Sequence, residues 1–155
     1  MSKKKYKLGD IFLINLEEEL YGVGRVLIIL ENIVFVELYK MKPITSKEEV
    51  NFAVINDTTT VSKIWCDSTP LKKGNWEIIG NNLVEGIVDM PYFWQEGMTG
   101  VYHLVKGTAN DFMGIITDKV LTREETRKYD SNGLCNPLSV KEIYQRRLKQ
   151  LDLLT

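Results

Sequence analysis

The sequence predicts an α+β fold: a small curved antiparallel sheet, or an SH3-like barrel, of about five or six strands with a C-terminal helix packed on it. Three observations point there. The first forty of 155 residues hold apolar, β-branched runs separated by short polar breaks. Similar short runs recur between Gly, Asn and Pro punctuation as far as Thr117. The chain then closes on an amphipathic segment with helix-start signals.

The opening strands are "GDIFLINL" and "YGVGRVLIIL", parted by a polar gap that holds Glu17, Glu18 and Glu19. "IVFVELY" follows after a break at Glu31 and Asn32, which predicts an antiparallel meander. Residues 26 to 30 are continuously apolar, so both faces of that strand should be covered. Gly22 and Gly24 lie two apart and face the same side of a regular strand. Such a pair lets the strand bend, bulge or accept close approach, and barrel closure is the expected use. No third glycine and no helix start follow, so the pair is not a phosphate-binding loop.

Ser46 and Glu49 form a capping-box pattern for a short helix, as do Thr122 and Glu125. Further strands are expected around "TVSKIWC", "WEIIG", "GVYHLV" and "FMGIIT", with Trp76 sealing the core from its strand. The segment from Pro70 to Gly100 reads as largely irregular. The last helix starts after Pro137 with a Ser139–Glu142 capping box, and Val140, Ile143, Tyr144, Leu148 and Leu151 form its apolar stripe. Arg146, Arg147, Lys149 and Gln150 then face water. No repeat or linker divides the chain, so residues 1–155 are expected to form a single domain, with residues 1–6 a flexible basic tail.

Composition narrows the function. The hydrophobic fraction of 44% and charged fraction of 26% are those of a soluble globular protein. A formal charge of −1 argues against a dedicated nucleic-acid binder, despite Lys3, Lys4 and Lys5. The most apolar span, "VLIILENIVFVEL", is broken by Glu31 and Asn32 and too short for a membrane helix. With no apolar signal-peptide core after the basic start, a cytoplasmic location is expected. Cys66 and Cys135 fit buried free thiols rather than a disulfide framework or a zinc site.

Catalytic signals are sparse. His103 is the chain's one histidine and sits in a strand-like run, where a packed ring outweighs acid–base work. Asp10, Glu85, Asp89, Asp111 and Asp118 lie near strand ends without a spacing that requires a paired site. No catalytic residue, metal site or cofactor is expected. The aromatics say more: "MPYFWQ" places Tyr92, Phe93 and Trp94 in succession behind Pro91. Neighbours in an extended chain alternate sides, so at least one of them is exposed or covers a loop. Packing over the barrel end is the expected role, with an interface anchor such as Tyr92 or Trp94 as the alternative.

The block "GDIFLINLEEELYGVGRVL" resembles the start of the immunity protein 26 family, small bacterial proteins encoded beside polymorphic toxins. The matching positions are Gly9, Asp10, Tyr21, Gly22, Gly24, Arg25 and Val26. A second block, "WEIIGN" followed by "MPYF", carries Trp76, Gly80 and Pro91. The resemblance covers about residues 7 to 105. It implies an inhibitor that binds a cognate toxin in the producing cell. A toxin acting on nucleic acid carries a basic cleft, to which Glu17, Glu18 and Glu19 at a hairpin tip would be complementary. The plainer reading of the three glutamates, a solvated tip or a guard against edge pairing, carries more weight. A phosphotriesterase shares the family name, so a hydrolase is the second reading, and His103 alone equips the chain poorly for it. A small barrel that binds peptide or RNA is the third.

Overall fold

The computed structural model describes residues 5–52, 55, 59–108 and 111–155, with backbone alone at 108 and 111–118. Lys3 and Lys4 of the expected basic tail therefore lie outside the described residues, while Tyr6 packs against the core. The chain divides into two compact units, Met1–Ile87 with Cys135–Thr155, and Val88–Leu134.

The first unit contains the predicted meander. Strands β1 (Asp10–Glu17), β2 (Leu20–Leu30) and β3 (Ile33–Tyr39) pair antiparallel. Their turns are the two-residue pairs Glu18–Glu19 and Glu31–Asn32, with positive φ of 45° at Glu18 and 53° at Glu31. Strand β4 (Thr60–Asp67) extends the sheet beyond β3, and β5 (Ile78–Asn81) pairs with β1. Ser46 and Glu49 do form a capping box, over a single 3-10 turn at Lys47–Glu49. Helix α1 (Thr69–Lys73), within the stretch expected to be irregular, follows β4 and ends on Gly74 in the left-handed region.

The sheet runs in the order β10-β4-β3-β2-β1-β5, where β10 is Leu134–Cys135. Among the described residues it remains open, so the SH3-like barrel expectation is corrected to a small sheet with a helix on one face. Twist comes from bulges: Leu16 in β1 and Leu27 in β2 are each an extra residue against the partner strand. The glycines serve a different purpose. A Cβ at Gly22 would fall 2.4 Å from the Tyr144 ring, and one at Gly24 would fall 2.7 Å from the Phe12 ring. Both glycines face the same side, as their spacing predicts, and both admit an aromatic ring rather than closing a barrel.

The ring over Gly22 comes from α2 (Pro137–Gln150), which packs on the face formed by Phe12, Ile14, Val26, Val36, Leu38 and Ile64. The helix begins earlier than expected. Asn136, not Ser139, is the N-cap: its side chain accepts from the Ser139 N–H at 2.8 Å, and Pro137 occupies the first turn. Val140, Tyr144 and Leu148 are fully buried and Ile143 partly so. Leu151 is 43% exposed, and Leu154 fills the final core position in its place. The opposite sheet face buries Ile11, Leu13, Val23 and Tyr39 beneath Ile44, Val50 and Ile55.

The second unit is a four-stranded sheet, β8-β7-β6-β9. Strands β6 (Tyr92–Glu96), β7 (Tyr102–Thr108) and β8 (Asp111–Leu121) pair antiparallel, and β9 (Asp130–Ser131) runs parallel to β6. The aromatic run expected to be a loop is thus a strand. Thr122 and Glu125 exchange reciprocal hydrogen bonds ahead of a 3-10 helix at Glu125–Lys128, a shorter element than a capped α-helix.

Candidate functional site

The residues of the two sequence blocks turn inward and hold the chain together. Gly9 has φ of +84°, and a Cβ there would meet Asn82 backbone at 3.0 Å. Asp10 accepts from the Lys7 N–H at 2.8 Å and the Asn81 amide at 3.0 Å, which fastens the start of β1 to the end of β5. Tyr21 exchanges two backbone hydrogen bonds with Ile44, at 2.8 and 2.9 Å. Trp76 stacks on Phe12 with ring centres 5.0 Å apart and an interplanar angle of 7°, from a bend just before β5 rather than from the strand itself. A Cβ at Gly80 would lie 2.5 Å from the Phe52 ring, and the Pro91 carbonyl accepts from Gly107 N–H at 3.3 Å.

Arg25 is the most consequential of these. Its guanidinium donates to the Glu37 carboxylate at 2.9 and 3.2 Å and to the Asn82 carbonyl at 3.1 Å. The two side chains are 6% and 8% exposed. Tyr39 stands beside them, fully buried, with its hydroxyl against the Glu37 carboxylate. Burial first, then the adjacent Glu37 carboxylate, pushes the Tyr39 phenol above its ordinary range. A phenol held neutral and enclosed by side chains is structural, not a poised acid. The sequence did carry a sign of this cluster: a lone glutamate in "IVFVELY" needs a buried cation, and only the register identifies Arg25 as that cation.

Two sets of side chains point outward instead. At the β1–β2 turn Glu18 and Glu19 are exposed and Glu17 is half-buried, while the Asn15 side chain holds the turn by donating to the Glu18 carbonyl at 2.7 Å. The turn abuts α2, where the Gln145 amide donates to the Leu16 carbonyl. In the second unit, strand alternation buries Phe93, 2% exposed, and turns Tyr92 and Trp94 to the other face. Tyr92 is 45% exposed and has the Lys106 ammonium 5.5 Å from its ring centre. Trp94 meets Tyr102 edge-on at 5.8 Å. Tyr102 and Lys106 were not singled out from sequence, because only the β6–β7 register brings them to Tyr92 and Trp94.

The catalytic candidates do not assemble. His103 is half-buried in β7 opposite Gln95. Asp10 is occupied at the β1–β5 junction, Glu85 and Asp89 are exposed, and the side chains of Asp111 and Asp118 lie outside the described residues. Among the described residues no group of three His, Cys, Asp or Glu side chains converges to hold a metal. Cys66 is buried and Cys135 half-buried, and no disulfide joins them. Burial pushes the Cys66 thiol up, away from the reactive thiolate. No described helix is long and apolar enough to cross a membrane.

Comparison with known families decides the assignment. The profile of Immunity protein 26 matches residues 7–100, well over half of the chain's 155 residues. The chain belongs to the immunity protein 26 family. The match spans both blocks, from the Gly9–Asp10 start through Pro91 and the aromatic strand β6. No curated protein and no solved structure matches the chain. Membership supports an immunity role, and it brings a cognate toxin as the general class of partner.

Proposed function

We propose that this protein neutralises a cognate bacterial toxin by binding it in the cytoplasm of the producing cell, without chemistry of its own. The observation that carries this reading is a division of labour. The residues that define the family block are spent on architecture, from Gly22 beneath Tyr144 to Arg25 against Glu37. What is left for recognition is exposed charge and aromatic surface.

The acidic turn Glu17–Glu19 is the electrostatic contact in this proposal. Three carboxylates, one at the end of β1 and two on the turn, gather negative charge that suits the cationic cleft of a nuclease toxin. Tyr92 and Trp94 supply apolar anchors, since large amphipathic rings bury much area at low entropic cost. The hydrolase reading lacks a cluster of three His, Cys, Asp or Glu side chains among the described residues to support it.

The test is co-expression with the toxic domain encoded by the neighbouring gene. Cells are expected to survive with the wild-type chain and to die when Glu17, Glu18 and Glu19 are all replaced by lysine. Survival with the charge-reversed chain, at unchanged toxin affinity, refutes the acidic contact. Turnover of a phosphotriester that a chelator abolishes would favour the hydrolase.

A further inference from the structure

The sheet of the first unit brings two thiols together. Strand β10, which is only Leu134 and Cys135, is hydrogen-bonded beside β4, the strand that carries Cys66. Side chains on neighbouring strands meet when they share a face, and these two do. Cys66 belongs to the core cluster that holds Tyr144, and Cys135 packs against that same cluster. Burial first, then the charge of a Cys135 thiolate, raises the Cys66 thiol, so the two sulfurs act on each other. Neighbouring strands lie about 4.8 Å apart, inside the range of about 4.4–6.8 Å between the Cα atoms of a disulfide. Exposure gives the two different roles. Cys66 is 0% exposed and its Sγ donates to the Asp67 carbonyl at 3.1 Å, whereas Cys135 is half-buried.

We propose that Cys66 and Cys135 form a reversible oxidation site, which closes to a disulfide when a low-molecular-weight disulfide reaches Cys135. The Cys135 thiolate attacks one sulfur of the small disulfide and expels the other half, which takes up a proton and leaves as a thiol. Cys66 then gives up its proton, attacks the Sγ of Cys135 and releases the second half, again as a thiol. Two hydrogens pass from the protein to the small disulfide, and no further reactant is needed. The new bond closes a loop over residues 67–134, which contains in sequence the whole of Val88–Leu134. It also fastens to β4 the residue that precedes Asn136, the N-cap of α2. Oxidation therefore braces the start of the docked helix and removes freedom from the unfolded chain. The step needs no toxin and stands or falls without one.

Intact mass and peptide mapping of the full chain, incubated with glutathione disulfide at neutral pH without denaturant, test it. The expected product is two hydrogens lighter, yields a peptide joining Cys66 to Cys135, and returns to the starting mass with dithiothreitol. Its melting temperature is expected to exceed that of the reduced chain by at least about 5 °C. Cys66→Ala is expected to stop at a glutathione adduct on Cys135. Cys135→Ala is expected to take neither adduct nor cross-link, since the buried thiol is not reached. A wild-type chain that keeps a stable adduct on Cys135, or stays unmodified, overturns the proposal. A cross-link that forms only in urea, only between chains, or without raising the melting temperature equally overturns it.

Discussion

Tyr144 of α2 lies across Gly22 of β2, so close that a Cβ at Gly22 would fall 2.4 Å from the ring. Its hydroxyl donates to the Tyr39 carbonyl at 2.6 Å, lies 3.1 Å from the Val23 carbonyl and accepts from the Val23 N–H at 3.3 Å. One side chain thus joins the C-terminal helix to two strands through a gap left by a missing methyl group.

This contact predicts a specific coupling. Gly22→Ala forces the ring away and is expected to cost about 1–3 kcal/mol. Tyr144→Phe leaves the ring and removes the hydroxyl, costing about 1–2 kcal/mol. Across wild type, Gly22→Ala, Tyr144→Ala and Gly22→Ala/Tyr144→Ala, the clash is absent from the double variant, so the costs of the two single alanine variants should fall short of additive by at least about 0.5 kcal/mol. Urea unfolding of the four proteins measures this, and additive losses contradict the contact.

The Arg25–Glu37 pair is expected to behave as a buried ion pair. Arg25→Met or Glu37→Met alone leaves an uncompensated charge beside Tyr39 and should cost about 3–5 kcal/mol. Replacing both by Met should recover most of that loss, because the desolvation penalty leaves with the pair. Chemical denaturation of single and double variants checks the sign of the coupling.

Acid should loosen the turns before the core. Backbone hydrogen bonds from Thr45 and Ser46 hold the Glu49 carboxyl below its ordinary range, and bonds from Thr122 do the same for Glu125. Hydrogen bonds from the Thr69 side chain and backbone lower Asp67. A carboxylate whose folded pKa is depressed contributes stability that is full above its unfolded value and lost as pH falls through the folded one. Melting temperature should therefore be flat near neutrality and decline below about pH 4. Thr45→Ala/Thr69→Ala removes the hydroxyls that donate to the Glu49 and Asp67 carboxylates and should shrink that acid-side decline.

If Tyr92 and Trp94 are the proposed anchors, the aromatic strand separates stability from recognition. Phe93 is buried, so Phe93→Ala should cost about 3–5 kcal/mol of folding stability. Tyr92→Ala and Trp94→Ala should each weaken toxin binding by about 1–3 kcal/mol, while Tyr92→Ala leaves the melting curve nearly unchanged. Calorimetric titration beside thermal unfolding distinguishes the two effects.

How much of this was legible follows from the range of each interaction. The meander, the Ser46–Glu49 box and the docking stripe Val140–Tyr144–Leu148 are encoded within a few residues, and they were read from spacing alone. The purpose of Gly22 and Gly24 was not, since the rings that fill their space come from Tyr144 and Phe12. Barrel closure was the wrong inference because a bend and a ring-sized gap leave the same mark in sequence. The strand at Tyr92–Glu96 was hidden by the proline and glycines around it and is held by pairing with β7. In the candidate site, the outward glutamates could be named early, whereas Tyr102 and Lys106 required the register.

The affinity of the purified chain for a candidate cognate toxin domain, measured by calorimetry for the wild type and for Glu17→Lys/Glu18→Lys/Glu19→Lys, tests the account most directly. Tight one-to-one binding that weakens at least about a hundredfold on charge reversal is the predicted result. Absence of binding by the folded wild-type chain, or equal affinity of the two proteins, would contradict it.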